Sequence, residues 1–308
     1  MDNSNLKNTY SEAWRALLKK ELKLEDLDTQ TVILENGLQY NPYFDPGKVE
    51  LESHIPNSMP ALSIGHRFVD LPEQLINEYL KVLVQYDLQV FSVEYERKVD
   101  WKTLLEGIYP EMLFIDIRGN QACIESFIKF ASDLENRTAL QFAVPNAYLV
   151  EGAHVSLDYT KYSLEEQVQV LRQLKQDLNK IESSEFKICV NIDPHALNSL
   201  VFLNALHQIA TGSGKNYIIE CIRISEQFNE SLETGLIQAG SVAVWASVAK
   251  VGHIYFNPIE GEDQKEYARL ILNIQNLLAL ESKMNNSNYA LQGAYVIEHL
   301  TKSLLDKA

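Results

Sequence analysis

Beyond residue 61, short apolar runs alternate with longer stretches whose apolar residues recur every three or four positions. Short runs bounded by turn residues predict buried strands, and the longer spacing predicts helices with one apolar face. An eighth, weaker strand pattern lies at His154–Leu157. The clear strand runs are Ala61–Phe68, Leu88–Tyr95, Met112–Ile117, Ala139–Val144, Lys187–Asp193, Tyr217–Ile224 and Gly252–Asn257.

Helical patterns fall between most of these runs, and alternating strands and helices indicate an α/β fold with a parallel sheet. Seven or eight such strands favour a (β/α)8 barrel of the TIM type. An open doubly wound sheet is the alternative, but no strand is followed by the glycine-rich phosphate loop typical of that fold. The predicted helices are Leu71–Gln85, Gln121–Leu134, Ser163–Ile181, Asn198–Ala210 and Ile237–Val251, followed by two C-terminal helices, Asp263–Lys283 and Ala294–Lys307.

Residues 1–60 have a different pattern, with one amphipathic helix at Ser11–Leu24, a hairpin signal at Glu35-Asn36-Gly37 and a proline-rich stretch. Such a segment rarely folds alone and usually lies on its own domain or on a partner. We therefore expect an N-terminal arm at 1–60 and a barrel with terminal helices at 61–308, with no further domain.

The net charge of −15 argues against non-specific nucleic-acid binding, because polyphosphate would be repelled. No segment approaches the ~20 apolar residues that cross a bilayer, and Met1 to Tyr10 lacks the apolar core of a signal peptide. The scattered residues Cys123, Cys189 and Cys221 favour buried free thiols over disulfides or a zinc site. These features favour a cytoplasmic protein without a membrane or nucleic-acid partner.

Polar residues stand at the carboxyl ends of the predicted strands, which is where barrel enzymes hold their active sites. Asp116, Asp193 and His195, with Glu94 or Glu220, are the candidates for acid–base chemistry. The alternative is that they are ordinary polar groups at a barrel mouth, with His195 capping the next helix. The full set is Glu94, Glu96, Asp116, Arg118, Asn191, Asp193, His195, Arg223, Ser225 and Asn257.

Other catalytic and metal-binding patterns receive little support. The histidines lack ligand spacing, and no G-x-S-x-G elbow is present. Thr211-Gly212-Ser213-Gly214-Lys215 superficially looks like a phosphate loop, but no strand precedes it, and the residues are better interpreted as a helix C-cap.

The segment from Tyr267 to Ser282 contains Arg, Asn, Gln, Glu and Ser in the order F-A-R-x-I-x-x-N-x-Q-x-x-L-x-x-E-S, and Gly293 to Thr301 follows G-S-Y-Y-V-E-x-L-T. These two patterns close the barrel in the methylmalonyl-CoA mutase family, which this chain resembles. The entry to the barrel, from Trp14 to Leu24 and then Pro42-Tyr43-Phe44, is also similar to that family.

The motifs of the family's catalytic chains are missing. Ile64-Gly65-His66-Arg67-Phe68 stands where those chains carry T-x-R-Q-Y-x-G, and Leu236-Ile237-Gln238 where they carry Leu-Ile-Arg. The S-x-S-G-Y-H strand and the cobalamin-binding D-x-H-x-x-G are absent from the sequence. The losses resemble the small, non-catalytic subunit of heterodimeric methylmalonyl-CoA mutases.

This resemblance implies a partner, the large subunit, which binds adenosylcobalamin and interconverts succinyl-CoA and methylmalonyl-CoA. The chain itself would bind no cofactor and no metal, and it would have no catalytic residues. The arm would wrap the partner through the aromatic and leucine side chains of Trp14, Leu17, Tyr40, Tyr43 and Phe44.

The strand side chains fit a filled barrel, since either alternate set includes bulky residues. The bulky set is Phe91, Val93, Phe114, Ile115, Phe142, Val190, Ile222, Tyr255 and Phe256. Two alternatives stay open: a free-standing barrel enzyme that uses the polar strand ends, and a subunit of a related acyl-CoA mutase, such as one acting on isobutyryl-CoA.

Overall fold

The fold is given by a computed structural model that describes residues 3–34, 36–43, 62–134, 140–145, 154–159, 163–181, 185–191, 196–223, 232–256, 264–284, 290–291 and 293–308. Its centre is a curled sheet of parallel strands. Each of the eight predicted strand runs overlaps an observed strand. The strands are β3 Ser63–Val69, β4 Val90–Tyr95, β5 Phe114–Gly119, β6 Gln141–Pro145, β7 His154–Tyr159, β8 Glu185–Asn191, β9 Asn216–Arg223 and β10 His253–Phe256, after a short hairpin of β1 Val32–Ile33 and β2 Gln39–Tyr40.

Each strand from β3 to β9 pairs in parallel with the next one along the chain. β10 pairs with β9 on one side and with β3 on the other, which joins the two ends of the curled sheet. The predicted α/β class and parallel sheet are therefore confirmed. Consecutive strands are neighbours throughout. The order therefore lacks the reversal that is typical of an open doubly wound sheet.

Helices connect most of the strands and lie on the outside of the sheet. Their starts follow local capping rules: Ser163 and Glu166 form a reciprocal capping box, and the Asn120 side chain accepts from the backbone of Cys123. The helices are α1 Asn3–Leu22, α2 Glu73–Leu83, α3 Trp101–Leu104, α4 Gln121–Ser132, α5 Leu164–Leu178, α6 Ala196–Gly212, α7 Leu232–Val248, α8 Gln264–Asn276 and α9 Tyr295–Leu305.

The main apolar core lies between the strands and the helices. Alternate side chains of a strand face opposite sides of the sheet. One set packs into the same apolar cluster as the buried helix faces, for example Ile64 of β3 and Ile188 of β8. The other set contributes to a small separate cluster, which consists of Val90, Phe114, Ala143, Cys189 and Tyr255.

The bulky strand side chains divide between the two faces of the sheet, so the inward-facing set includes some of them, as the sequence predicts. Phe114 and Tyr255 belong to the inner cluster, whereas the side chain of Ile222 lies outside the described residues. Successive residues of a strand face opposite sides of the sheet, which is why neighbours such as Phe114 and Ile115 belong to different clusters. The residues that pack on the helix side instead are Phe91, Val93, Ile115, Phe142, Val190 and Phe256.

The arm is partly attached to its own chain. Leu27 and Leu38 are buried, and the buried Asn36 amide donates to Gln167 of α5 at 3.1 Å. The predicted hairpin is confirmed, since β1 and β2 pair antiparallel. Helix α1, by contrast, has mostly exposed side chains from Glu12 onward and is tied to the following turn by an Arg15–Asp28 ion pair.

The two C-terminal segments Tyr267–Ser282 and Gly293–Thr301 attach the outer helices to the rest of the fold. Gln275 of α8 is buried and accepts from the backbone N–H of Ile64 at the start of β3. In α9, the buried Thr301 hydroxyl accepts from the Asn204 amide of α6 at 3.1 Å. Gln275 and Thr301 therefore have structural roles. No helix among the described residues has the length and apolar content to cross a bilayer.

Candidate functional site

The sheet encloses a cluster of ionisable side chains. The Lys187 ammonium of β8 lies 3.2 Å from the ring centroid of Phe114 on β5, and that ring lies 5.2 Å from the ring of His253 on β10. β5, β8 and β10 are not neighbours in the sheet. These contacts therefore cross its interior, and the cluster occupies the space that the curled strands surround.

Glu220 of β9 is at the centre of this cluster. Its Oε1 accepts from Lys187 Nζ at 2.5 Å and from the Tyr255 hydroxyl at 3.2 Å, and it lies 2.8 Å from His253 Nδ1. Its Oε2 accepts from the Cys189 thiol at 3.0 Å. One carboxylate on β9 thus binds side chains from the two strands that flank it, β8 and β10. The strand register aligns them, because Glu220 is the pairing partner of both Cys189 and His253.

The pKa of Glu220 is set by its burial and by these neighbouring donors and charges. Complete burial by itself would raise the pKa of its carboxyl, but the Lys187 charge, the His253 hydrogen bond and the Arg118 charge outweigh burial and hold the pKa well below its usual range. Burial, followed by the Glu220 and Asp116 charges, raises the pKa of the Tyr255 phenol well above its usual value. Glu220 is therefore ionised and Tyr255 neutral at pH 7.

A second ion pair adjoins the first. Asp116 Oδ2 on β5 accepts from Arg118 Nε at 2.6 Å and from the Ser92 hydroxyl at 3.1 Å. Arg118 also donates to the Cys189 sulfur, and its guanidinium lies 3.9 Å from Glu220 Oε2. Two carboxylates and two cationic side chains are thus linked in one buried network.

Asp116, Cys189 and Glu220 also have the composition of a metal site. Their ligand atoms lie within 4.8 Å of one another, and all three side chains are buried. The Arg118 guanidinium, however, contacts Asp116 and Cys189 and faces Glu220. It supplies at this position the positive charge that a cation would otherwise supply. The arrangement fits an ion-pair network better than a metal centre.

A further ion pair lies nearer the carboxyl ends of the strands. Arg67 Nε of β3 donates to Glu94 Oε2 of β4 at 3.1 Å, and both side chains are partly exposed. Glu94 is the register partner of Arg118, which places this pair beside the Arg118 end of the buried network. Paired charges therefore continue from the interior to the rim on this side of the sheet.

The predicted acid–base candidates are only partly brought together. Asp116 and Glu220 lie in the network, and Glu94 lies at the rim with Arg67. Asp193 and His195 lie outside the described residues, as do Ser225 and Asn257. The side chains of Asn191 and Arg223 also lie outside them, whereas Glu96 is exposed to solvent.

Sequence reasoning missed Lys187, Cys189 and His253 as a functional group. Cys189 was interpreted as an inert thiol, and the histidines as scattered residues. A usable signal was present, because Lys187-x-Cys189 and His253-x-Tyr255 place polar side chains at alternate positions within apolar strand runs. Alternation within a strand puts both members of each pair on one face.

The predicted interface residues have different environments. On α1, the exposed fraction is 42% for Trp14, 52% for Leu17 and 46% for Leu22. Tyr40 packs against the main apolar core, and Tyr43 is partly buried. Phe44 lies outside the described residues. In the described part of the arm, exposed apolar side chains therefore lie on α1 and on β1, where Ile33 is 63% exposed.

Comparison with protein-family models found no match. A search of curated proteins also found none. Among solved structures, the chain is similar to a phospho-2-dehydro-3-deoxyheptonate aldolase from Thermotoga maritima, with 11% sequence identity and a TM-score of 0.36 over 83% of this chain and 74% of that chain. A likeness of this size carries no conclusion about activity.

Proposed function

We propose that this chain is the non-catalytic small subunit of a heterodimeric, adenosylcobalamin-dependent methylmalonyl-CoA mutase. In that role it adopts a (β/α)8 barrel of the TIM type in the cytoplasm and binds a large subunit. The large subunit holds adenosylcobalamin and converts succinyl-CoA to methylmalonyl-CoA. The chain contributes assembly and stability, and none of its own residues contacts the reacting acyl group.

The observation that carries the proposal is the exposure of helix α1. Its 20 residues include Trp14, Leu17 and Leu22, whose side chains are about half exposed. A helix without tertiary packing is only marginally stable in water, so an exposed apolar face of this length is a binding surface. A subunit whose arm wraps a partner requires such a surface.

The interior network supports the absence of catalysis. Asp116, Lys187 and Glu220 are fully buried and occupy the centre of the sheet, where a substrate tail would have to pass. Their charges are balanced by one another and by Arg118. Opening the interior to a CoA chain would break these pairs, and breaking a buried pair costs about 3–5 kcal/mol.

The resemblance in α8 and α9 supplies the identity of the partner. Gln275 and Thr301 belong to the two matched segments and attach the outer helices to the sheet and to α6. Residues with these structural roles are retained by a degenerate copy that keeps its fold. The motifs missing from the first barrel strands are those that would contact substrate.

Co-expression with the methylmalonyl-CoA mutase large subunit of the same organism tests the proposal. We expect one complex in size-exclusion chromatography, with mutase activity on succinyl-CoA that requires both chains. Trp14→Ala combined with Leu17→Ala should weaken the complex at least tenfold, whereas Met112→Ala, at an exposed apolar residue outside α1, should leave it intact. A large subunit with full activity alone and no affinity for this chain would refute the proposal.

A free-standing barrel enzyme is the second candidate, because Lys187, Glu220 and His253 place acid–base groups within 3.2 Å of each other. Glu220→Gln would abolish such an activity. In a mutase small subunit, the same change would alter stability and leave the activity of the assembled complex unchanged. Comparing isobutyryl-CoA with succinyl-CoA as substrate distinguishes the related acyl-CoA mutases.

A further inference from the structure

Three side chains of metal-ligand type converge at the inner face of the sheet. Ligand atoms of Asp116, Cys189 and Glu220 lie within 4.8 Å of one another, and all three side chains are buried. The Cys189 sulfur is 3.0 Å from Oε2 of Glu220. Zinc bonds of about 2.0–2.3 Å place the ligand atoms of a tetrahedral site roughly 3.3–3.6 Å apart. Small side-chain movements therefore bring the three groups to the spacing that one ion requires.

The donor set selects a class of cation. Magnesium and calcium bind through oxygen ligands, whereas zinc-type cations accept a thiolate together with carboxylates. The two oxygens of Glu220 face different neighbours, since Oε1 accepts from Lys187 and Oε2 accepts from Cys189. An ion bound at Oε2 therefore leaves the ion pair between Lys187 and Glu220 in place.

The Arg118 guanidinium lies among the same three groups. Its Nε donates to Oδ2 of Asp116 at 2.6 Å, and a second nitrogen donates to the Cys189 sulfur. That nitrogen is also 3.9 Å from Oε2 of Glu220. The sulfur and both carboxylates thus already surround one cationic group, in the position that a metal ion bound by all three would occupy.

Arg118 also has a second carboxylate within reach. Its side chain is 11% exposed, whereas that of Asp116 is 1% exposed, so the arginine lies at the outer edge of the network. Its register partner on β4 is Glu94, and side chains of register partners lie on the same face of a sheet. Arg67 contacts Oε2 of Glu94, and Oε1 of that carboxylate can accept from a second guanidinium. Arg118 can therefore turn from Asp116 to Glu94.

We propose that Asp116, Cys189 and Glu220 bind a thiophilic divalent cation of the zinc type, and that Arg118 is the gate of this site. The guanidinium fills the site in the closed form and pairs with Glu94 in the metal-bound form. The exchange conserves charge, because a 2+ ion replaces one guanidinium and the proton that the Cys189 thiol gives to solvent when it binds metal. No unbalanced charge is left buried in either form.

The two forms exclude each other, so the affinity of the chain for metal is set by Arg118. An incoming cation has to break the buried contacts of the guanidinium, which makes binding to the wild-type chain weak. Removing the guanidinium removes this competition and should strengthen binding. The inference goes beyond the proposed function and does not depend on it.

Cadmium titration of the isolated full-length chain tests the site, because a thiolate–cadmium bond adds an ultraviolet absorption band. Arg118→Met removes the competing charge and keeps an apolar stem. We expect one ion per chain in this variant, bound about 100-fold more tightly than in the wild type, since no buried ion pair has to be broken. Adding Cys189→Ser should abolish the band, whereas adding Cys123→Ser, at a buried free thiol of α4, should leave it unchanged.

Glu94→Gln tests the gate in a chain that keeps all three ligands and Arg118. It removes the carboxylate that receives the guanidinium, so the cadmium affinity should fall about fivefold, which corresponds to the loss of a partly exposed ion pair. Glu96→Gln, at an exposed carboxylate on the same segment, should leave the affinity unchanged.

The proposal is overturned if Arg118→Met shows no band that depends on Cys189, or if the wild-type chain binds cadmium as tightly as this variant. An unchanged affinity in Glu94→Gln would also overturn it. If Arg118→Met is unfolded without metal, cadmium should restore its circular dichroism, and failure to do so counts against the site. The titration needs no large subunit, so its failure leaves the mutase assay unaffected, and failure of the mutase assay leaves the metal site intact.

Discussion

The outer and inner faces of the same strands have opposite chemistry. On the outer face, Phe91 and Ile188 are fully buried in an apolar cluster with the helices. On the inner face, Asp116, Lys187 and Glu220 are equally buried but carry charge. The outer face is stabilised by apolar area, which depends little on the identity of any one neighbour. The inner face depends on specific partners, so the loss of one partner is costly.

The largest expected effect comes from Glu220→Ala. It leaves Lys187 buried without its carboxylate and removes the acceptor of the Tyr255 and Cys189 hydrogen bonds. We expect the free energy of unfolding to fall by about 3–5 kcal/mol, measured by urea denaturation.

The matched control is the double variant Lys187→Met with Glu220→Met, which removes both charges and keeps the volume. If the inner face is held by pairing, the double variant should be more stable than Glu220→Ala. A double variant that is less stable than Glu220→Ala would contradict the claim that the inner face depends on charge pairing.

Acid should destabilise the outer layer before the inner network. Burial lowers the pKa of His66 and of His207 from 6.5 to about 4, although a backbone hydrogen bond to Ala268 or to Ala249 partly opposes it. Between pH 4 and pH 6.5 the unfolded chain therefore binds more protons than the folded chain. The stability from each neutral histidine is therefore complete above pH 6.5 and is lost as the pH falls towards 4, by about 3 kcal/mol per histidine.

The Glu220 pKa is depressed, so its contribution is complete above its unfolded value near 4.5 and is lost only at lower pH. The urea concentration at the midpoint of unfolding, measured at several pH values between 7 and 4, shows which contribution is lost first. His207→Gln should flatten the decline in this window, and His299→Gln, at an exposed histidine of α9, should not. If the stability of His207→Gln falls with pH as steeply as that of the wild type, the outer layer is not responsible for the destabilisation by acid.

A smaller effect is expected for Ile115→Val on the outer face, which removes one buried methyl group. We expect a loss of about 0.5–1.5 kcal/mol in the free energy of unfolding, without a change in its pH dependence. In thermal unfolding, the melting temperature of the variant should lie below that of the wild type by the same amount at pH 7 and at pH 5. A loss as large as that of Glu220→Ala would remove the distinction between the faces.

The smallest effect is expected for Ser92→Ala, which removes one donor to Asp116 at the inner face. Arg118 continues to donate to the same carboxylate oxygen, so the cost should be about 0.5–1.5 kcal/mol, at the lower end of that range. Urea denaturation measures it. A cost near that of Glu220→Ala would mean that Ser92, and not Arg118, holds Asp116 in place.

Much of the fold was predictable from local pattern. The run at Lys187–Asp193 overlaps β8 at Glu185–Asn191, and the helix predicted at Ser163–Ile181 is observed at Leu164–Leu178. Apolar periodicity and caps act within a few residues, so they are visible in the sequence. Periodicity did not reveal which face of each strand turns inward, because both faces contain apolar residues.

The candidate site was predicted only in part for the same reason. Asp116 and Glu220 were recognisable as carboxylates in strand runs, and Arg118 was named among the polar strand-end residues, but the pairing of Arg118 with both carboxylates was not predicted. Lys187 and His253 are 66 residues apart and meet across the sheet. A contact of that separation depends on how the strands close, which no local spacing encodes.

The amino-acid sequence by itself determined the alternation of strands and helices and the amphipathic arm helix, because these depend on residues close together in the chain. Only the tertiary structure decided that the inner face is a network around Glu220, that α9 covers α6, and that α7 and α1 keep exposed apolar stripes. Burial and pairing are properties of neighbours in space, and the closing of the sheet sets which residues those are.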